Sequence, residues 1–96
     1  MRNHRTLVVF KLADELAIST YSITKTFPKS ENFGPVSQMR RAAVSVPSNL
    51  AEGCSRNSEA EFLRYLQIAL GSARELEYQS SLAFRLGFLP DDEAEQ

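Results

Sequence analysis

The amino-acid sequence predicts an all-α fold, an up-and-down antiparallel helix bundle, in a single domain spanning residues 1–96. Three observations predict it. Apolar residues recur at helical spacing in three separate segments, turns bearing Pro or Gly part those segments, and the last segment opens on a capping box and closes on a glycine. With 43% hydrophobic and 24% charged residues the composition is that of a folded globular protein, too apolar for disorder. A chain this short buries only about two-thirds of its unfolded surface, so a thin core is expected.

The first helix is expected over residues 6–26, a stretch without Gly or Pro in which Phe10, Ala13, Leu16, Ala17 and Ile23 recur at helical spacing. Val8, Val9, Leu12 and Tyr21 widen the stripe, which predicts burial on more than one face. Phe27-Pro28 ends this helix, because the residue before proline is driven out of helical dihedrals. A polar turn through Gly34 follows, short enough to join antiparallel neighbours.

The second helix is expected over residues 35–55, with Pro35 in its first turn, where a missing N–H costs nothing. Val36, Met39, Ala43, Val46, Leu50 and then Gly53 or Cys54 form a heptad seam. Pro47 lies inside that seam and removes one backbone bond at a cost of about 3 kcal/mol, so a kink is predicted there. Ser45, Ser48 or Asn49 is available to satisfy the opened turn, and Gly53 or Asn57 to cap the end in a left-handed conformation.

The third helix is expected over residues 58–87. Ser58 and Glu61 form a capping box. Phe62, Leu66, Ala69, Ala73, Leu76, Ser80, Ala83 and Gly87 make one seam, while Leu63, Tyr65, Ile68, Leu70, Leu82 and Leu86 make a second, predicting two neighbours for this helix. Gly71 is expected to permit a close helix crossing. Residues 90–96 form an acidic stub that resembles the first turn of another helix.

Most catalytic chemistry is excluded. Di-iron bundles need histidines on separate helices, and this chain has only His4, expected to be a solvated residue near a frayed end. One cysteine, Cys54, excludes an intrachain disulfide and a multi-cysteine metal site, and no histidine accompanies it as a base. Glu75 and Glu77 point about 200° apart on a helix and cannot act as a pair. The four glycines are too scattered to cradle a phosphate. No enzymatic activity, cofactor or metal is therefore expected. No apolar run approaches the ~20 residues of a membrane span, and no secretion signal is present, so a cytoplasmic location without a membrane partner is expected.

Four of the twelve acids lie in the tail at Asp91, Asp92, Glu93 and Glu95, leaving eleven basic residues against eight acids in the body. That balance permits an anionic partner without demanding one. The polar residues left over by the core are Gln38, Arg40, Arg41, Asn49, Glu52 and Arg56, rich in the arginine and asparagine suited to planar recognition of phosphate or carboxylate.

The run Gln38-x-Arg40-Arg41-Ala42-Ala43-Val44-Ser45-Val46-Pro47-Ser48-Asn49-Leu50-Ala51-Glu52-Gly53 resembles the bacterial four-helix-bundle family named for proteins encoded in intervening sequences of 23S ribosomal RNA genes. Phe27-Pro28, Phe33-Gly34, Arg56, Glu61-Phe62, Gly71-Ser72, Glu75-Leu76-Glu77 and Leu86-Gly87-Phe88-Leu89 extend the likeness from Phe10 to Leu89. The resemblance implies a small up-and-down bundle that assembles as a ring-shaped homopentamer. Related accessory proteins of diversity-generating retroelements share that ring and work with a reverse transcriptase and RNA. In the family a fourth helix follows the Gly-Phe-Leu turn; here it is expected to be truncated or absent, leaving an apolar groove along the first and third helices.

Two functions are therefore expected. One is a non-catalytic homo-oligomer associated with RNA or a ribonucleoprotein, contacting it through Arg40, Arg41, Asn49, Glu52 and Arg56. The alternative is a protein-interaction scaffold without nucleic-acid affinity, in which the same arginines pair with Glu52 or Glu75 of an adjacent subunit.

Overall fold

The computed structural model describes residues 2–89; the acidic stub and the position of a fourth helix lie outside the described residues. Among them are three long helices and no strand: α1 (Val8–Thr24), α2 (Ser37–Cys54) and α3 (Glu59–Arg85). The result is an elongated helical bundle, 45 × 21 × 17 Å. Its centre is α2, which packs along both neighbours, whereas α1 and α3 barely touch each other.

The seam of α2 is buried along its whole length, with Val36, Met39, Ala43, Val46, Leu50 and Cys54 all in the core and Ala43 at 0% exposure. Facing it, α1 buries a narrow row of small residues, Ala13, Ala17, Thr20 and Thr24, at helical spacing. The threonines enter the core because their hydroxyls are satisfied locally. Thr20 Oγ1 donates to the Leu16 carbonyl at 2.8 Å, and Thr24 Oγ1 to the Thr20 carbonyl at 2.7 Å. The wider stripe expected on α1 is not buried: Val8, Val9, Leu12 and Tyr21 are all exposed, as is Ile18. On α3 the first seam packs against α2 through Ala69, Leu76 and Ala83, while Leu63, Ile68, Leu70, Leu82 and Leu86 are exposed. The second neighbour expected for α3 is not among the described residues.

Helix ends depart from expectation where backbone geometry decides. The connection after Phe27 is not a polar loop; it winds through a short 3-10 turn (Lys29–Glu31) into a wide π turn (Asn32–Val36) that runs directly into α2. Pro35 lies inside that π turn. At Pro47 α2 continues without a break. Neither Gly53 nor Asn57 takes a left-handed conformation; α2 closes with tightened bonds from Ser55 N–H to the Glu52 carbonyl and from Arg56 N–H to the Gly53 carbonyl. Ser58 caps α3 by accepting from Glu61 N–H at 3.1 Å. The reciprocal half of the capping box is missing, because Glu61 turns to Arg64 instead, at 2.9 Å. That hydrogen bond, more than the charge of Glu61, raises the pKa of exposed Arg64 above its ordinary value.

Gly87 ends α3 in the left-handed region, at φ 78°. Phe88 N–H returns to the Ala83 carbonyl and Gly87 N–H to the Phe84 carbonyl, a Schellman motif. The motif aims Phe88 at Phe27, with ring centroids 5.7 Å apart, closing one end of the core. At the other end Arg2 N–H donates to the Cys54 carbonyl, and its guanidinium bonds both oxygens of Glu59 over the Phe62 ring. The N-terminus is therefore tied down rather than frayed, and His4 is half-buried, edge-on to Phe10 with centroids 4.7 Å apart.

Two glycines in helices have opposite surroundings. A Cβ at Gly53 would lie 2.9 Å from Tyr65 Cβ, so the close crossing is here, between the end of α2 and the start of α3. A Cβ at Gly71, where a crossing was expected, would meet nothing within 4 Å, because this residue faces outward. Gly53→Ala should therefore destabilise the fold by about 1–3 kcal/mol through overpacking. Gly71→Ala should stabilise it by about 0.5–1 kcal/mol through lower unfolded-state entropy. Urea unfolding of the two variants checks both signs.

Candidate functional site

The five residues singled out by sequence lie along α2 and the turn after it, and packing assigns them different roles. Asn49 is used inside the fold. Its Nδ2 donates to the Ser45 carbonyl at 2.8 Å and to Ser45 Oγ at 3.0 Å, one turn back on α2. Ser45 Oγ in turn meets Ser72 Oγ across the α2–α3 contact, at 2.7 Å. The Asn49 amide thus orders a short polar chain joining the two helices.

Glu52 and Arg56 form an ion pair one turn apart, at 2.9 Å, and Arg56 also donates to the Tyr65 hydroxyl at 3.0 Å. Its guanidinium lies 5.0 Å from the Tyr65 ring centroid. Both residues therefore fasten the end of α2 to the start of α3, beside the Gly53 crossing. Arg56 Nε is buried and has no hydrogen-bond partner.

Arg40 reaches the other way, to α1. Its Nε donates to Thr24 Oγ1 at 2.9 Å and its guanidinium to the Tyr21 carbonyl at 3.4 Å, 4.6 Å from the Tyr21 ring centroid. A cation at the last turn of a helix is favoured by the helix dipole, so Arg40 both caps α1 and clamps it to α2. Thr24, 1% exposed, is the receiving group.

Arg41 alone of the five is exposed and makes no hydrogen bond or ion pair among the described residues. It stands on a ridge between two hollows. The hollow toward α3 is lined by Gln38, Ser45, Ser72, Glu75, Tyr78 and Gln79. The hollow toward α1, of about 700 Å³, is lined by Tyr21, Asn32, Phe33, Ser37, Arg40, Arg41 and Ser45 together with Val36 and Val44, with two arginines and, among the described residues, no acid. Phe33, in the turn before α2, is 99% exposed. Sequence reasoning missed Phe33. The signal present was an aromatic residue between polar Asn32 and Gly34, outside every apolar stripe.

A different surface lies between α1 and α3, which α2 holds apart. This groove, of about 350 Å³, is mainly apolar and includes Leu16, Ile23, Phe27, Met39, Leu76, Ala83 and Leu89. Among the described residues no group of three or more His, Cys, Asp or Glu side chains is placed to hold a metal, and no helix is long and apolar enough to cross a membrane. The arrangement offers hydrogen-bond donors, positive charge and an aromatic face on one side and apolar contact on the other.

The Asn49 chain predicts a pH-dependent defect. In Asn49→Asp a carboxylate would face the Ser45 carbonyl, two acceptors opposed, so the acid's folded pKa rises above its unfolded value. The loss, about 1–3 kcal/mol, should be fully present above that raised pKa and should shrink as pH falls through it, because the protonated acid can donate. Denaturant unfolding at neutral and at acidic pH measures it, with Asn49→Ala as the control whose loss does not vary in this way.

No curated protein matches the chain. A family model described as 23S rRNA-intervening sequence protein does match, over residues 5–96, and takes in all three helices, the Arg40–Arg41 pair and the turn that presents Phe33. The chain belongs to the 23S rRNA-intervening sequence protein family.

Proposed function

We propose that this protein is a non-catalytic, homo-oligomeric up-and-down bundle that binds RNA, with Arg41 as its principal phosphate contact and Arg40 as a supporting charge. The observation that carries this reading is the hollow beside α2, which among the described residues has no acid in its lining, and where the one site-candidate arginine without a partner among those residues stands next to a second guanidinium already fixed in place. A preordered arginine loses little side-chain freedom on meeting a phosphate. The family description, which refers to ribosomal RNA, is compatible with such a partner. Asn49, Glu52 and Arg56 support the site from within by holding α2 on α3.

Assembly is supported by a separate surface. Val8, Leu12, Ile18, Leu63, Ile68, Leu70 and Phe84 are exposed apolar side chains on α1 and α3, and surfaces of that kind are characteristic of interfaces. A ring of five copies is the assembly we propose. The same surface favours a second reading, a protein-interaction scaffold with no nucleic-acid affinity.

The two readings separate in one titration. If Arg41 meets phosphate, affinity for a labelled RNA should fall with rising salt, and Arg41→Ala should reduce the log–log slope by about 0.7 while leaving the oligomer mass unchanged. Absence of RNA binding, or a slope that Arg41→Ala does not alter, would sink the RNA reading. Ile18→Glu combined with Leu70→Glu should lower the mass measured by light scattering, and an unaltered mass would remove the apolar faces of α1 and α3 from the assembly.

A further inference from the structure

We infer that the hollow beside Phe33 is a stacking site for an unpaired base of single-stranded RNA, whose adjoining phosphate lies on Arg41. The inference rests on the RNA reading above and names the form of RNA it requires. Phe33 is 99% exposed, more than any other large apolar side chain described. Its position is not that of a loose loop. It sits in the π turn Asn32–Val36, which is anchored three residues later by Val36, 3% exposed, and continues without interruption into α2. The backbone that carries the ring is therefore fixed, so only the Phe33 side chain itself has to be ordered when a flat partner covers it.

The surroundings decide what kind of partner fits. Phe33 shares the hollow with Tyr21, Arg40, Arg41, Asn32 and Ser37 and with the aliphatic Val36 and Val44, and among the described residues no carboxylate lines it. An apolar protein surface would leave those guanidinium and hydroxyl groups unmatched, whereas a nucleotide matches each of them. Its base offers a face to the ring, its phosphate an anion to Arg41, and its ribose and base edge acceptors and donors to Asn32 and Ser37. Apart from Phe33 itself and Val44, the large exposed apolar residues lie instead on α1 and α3 and in the turn after α3. Only an unpaired strand exposes the face of a base, so duplex RNA lacks the group that Phe33 takes.

The test uses the full chain and a short fluorescein-labelled RNA, presented single-stranded and then annealed to its complement, with binding read by anisotropy. The wild-type protein should prefer the single strand. Phe33→Ala should weaken single-strand binding by about five- to 150-fold, the range of one stacked base, and leave the salt slope unchanged. Phe33→Trp should restore affinity, since any large aromatic face serves. Circular dichroism should be the same for all three proteins, because the side chain packs against nothing.

Equal affinity for single strand and duplex, or no effect of Phe33→Ala, would overturn the stacking site while the salt-dependent Arg41 contact, still measurable, left the RNA reading standing. A change in oligomer mass in Phe33→Ala would overturn it by assigning the ring to a subunit contact. No RNA binding by the wild-type protein would overturn the reading and the inference together.

Discussion

The structure depends on how closely α2 approaches its two neighbours, and that approach is set by small side chains. Ala13, Ala17, Thr20 and Thr24 present a low surface on α1, Ala42 and Ala43 a low surface on α2, and Ala69 and Ala83 a low surface on α3. At Gly53 even a methyl group would collide with Tyr65. Where backbones come this near, the small side chains add many short contacts to those of the larger buried ones, Met39, Val46, Leu50 and Leu76. Threonine is admitted to such a seam only because its hydroxyl bonds the preceding turn of its own helix, which Thr20 and Thr24 both do.

That choice fixes where the larger residues go. With the inner seam of α1 occupied by alanine and threonine and that of α3 by alanine beside Leu76, most leucines, valines and isoleucines of α1 and α3 stand on their outer faces, and a groove opens between these two helices, which barely touch. The bundle is closed at its ends by other means. Phe27 and Phe88 stack at one end, positioned by a proline-terminated helix and a Schellman turn; Arg2, Glu59 and Phe62 fasten the other. Polar side chains also lie where α2 meets its neighbours near the surface, so the same helix that organises the core carries the Arg40–Arg41 pair.

The candidate site was partly legible because the types of its residues are unusual on a helix of this kind. Two adjacent arginines with no acid three or four positions away are visible in the sequence, and in the structure Arg40 and Arg41 line one hollow. What spacing alone left open was which of the polar residues on α2 already have partners within the chain. Asn49 and Glu52 look equivalent to Arg41 along the helix, yet they bond locally, to Ser45 and Arg56, while the Ser45–Ser72 and Arg56–Tyr65 contacts form only after α3 folds back on α2. Phe33 escaped notice for the converse reason. A phenylalanine is assumed to seek the core, and only the backbone path of the turn before α2 shows that this one is turned to solvent.

The sequence by itself determined the helical class, the buried seam of α2, the cap at Ser58 and the stop at Gly87, because each follows from chemistry within a few residues of the position concerned. Tertiary structure alone decided which apolar faces of α1 and α3 were covered, that Gly53 rather than Gly71 lies at a crossing, and that Arg40 clamps α1. Periodicity states that a face is apolar but not how near the next helix comes. That distance depends on the side chains of both partners at once, and it is what assigns Arg40 to the fold and leaves Arg41 to solvent.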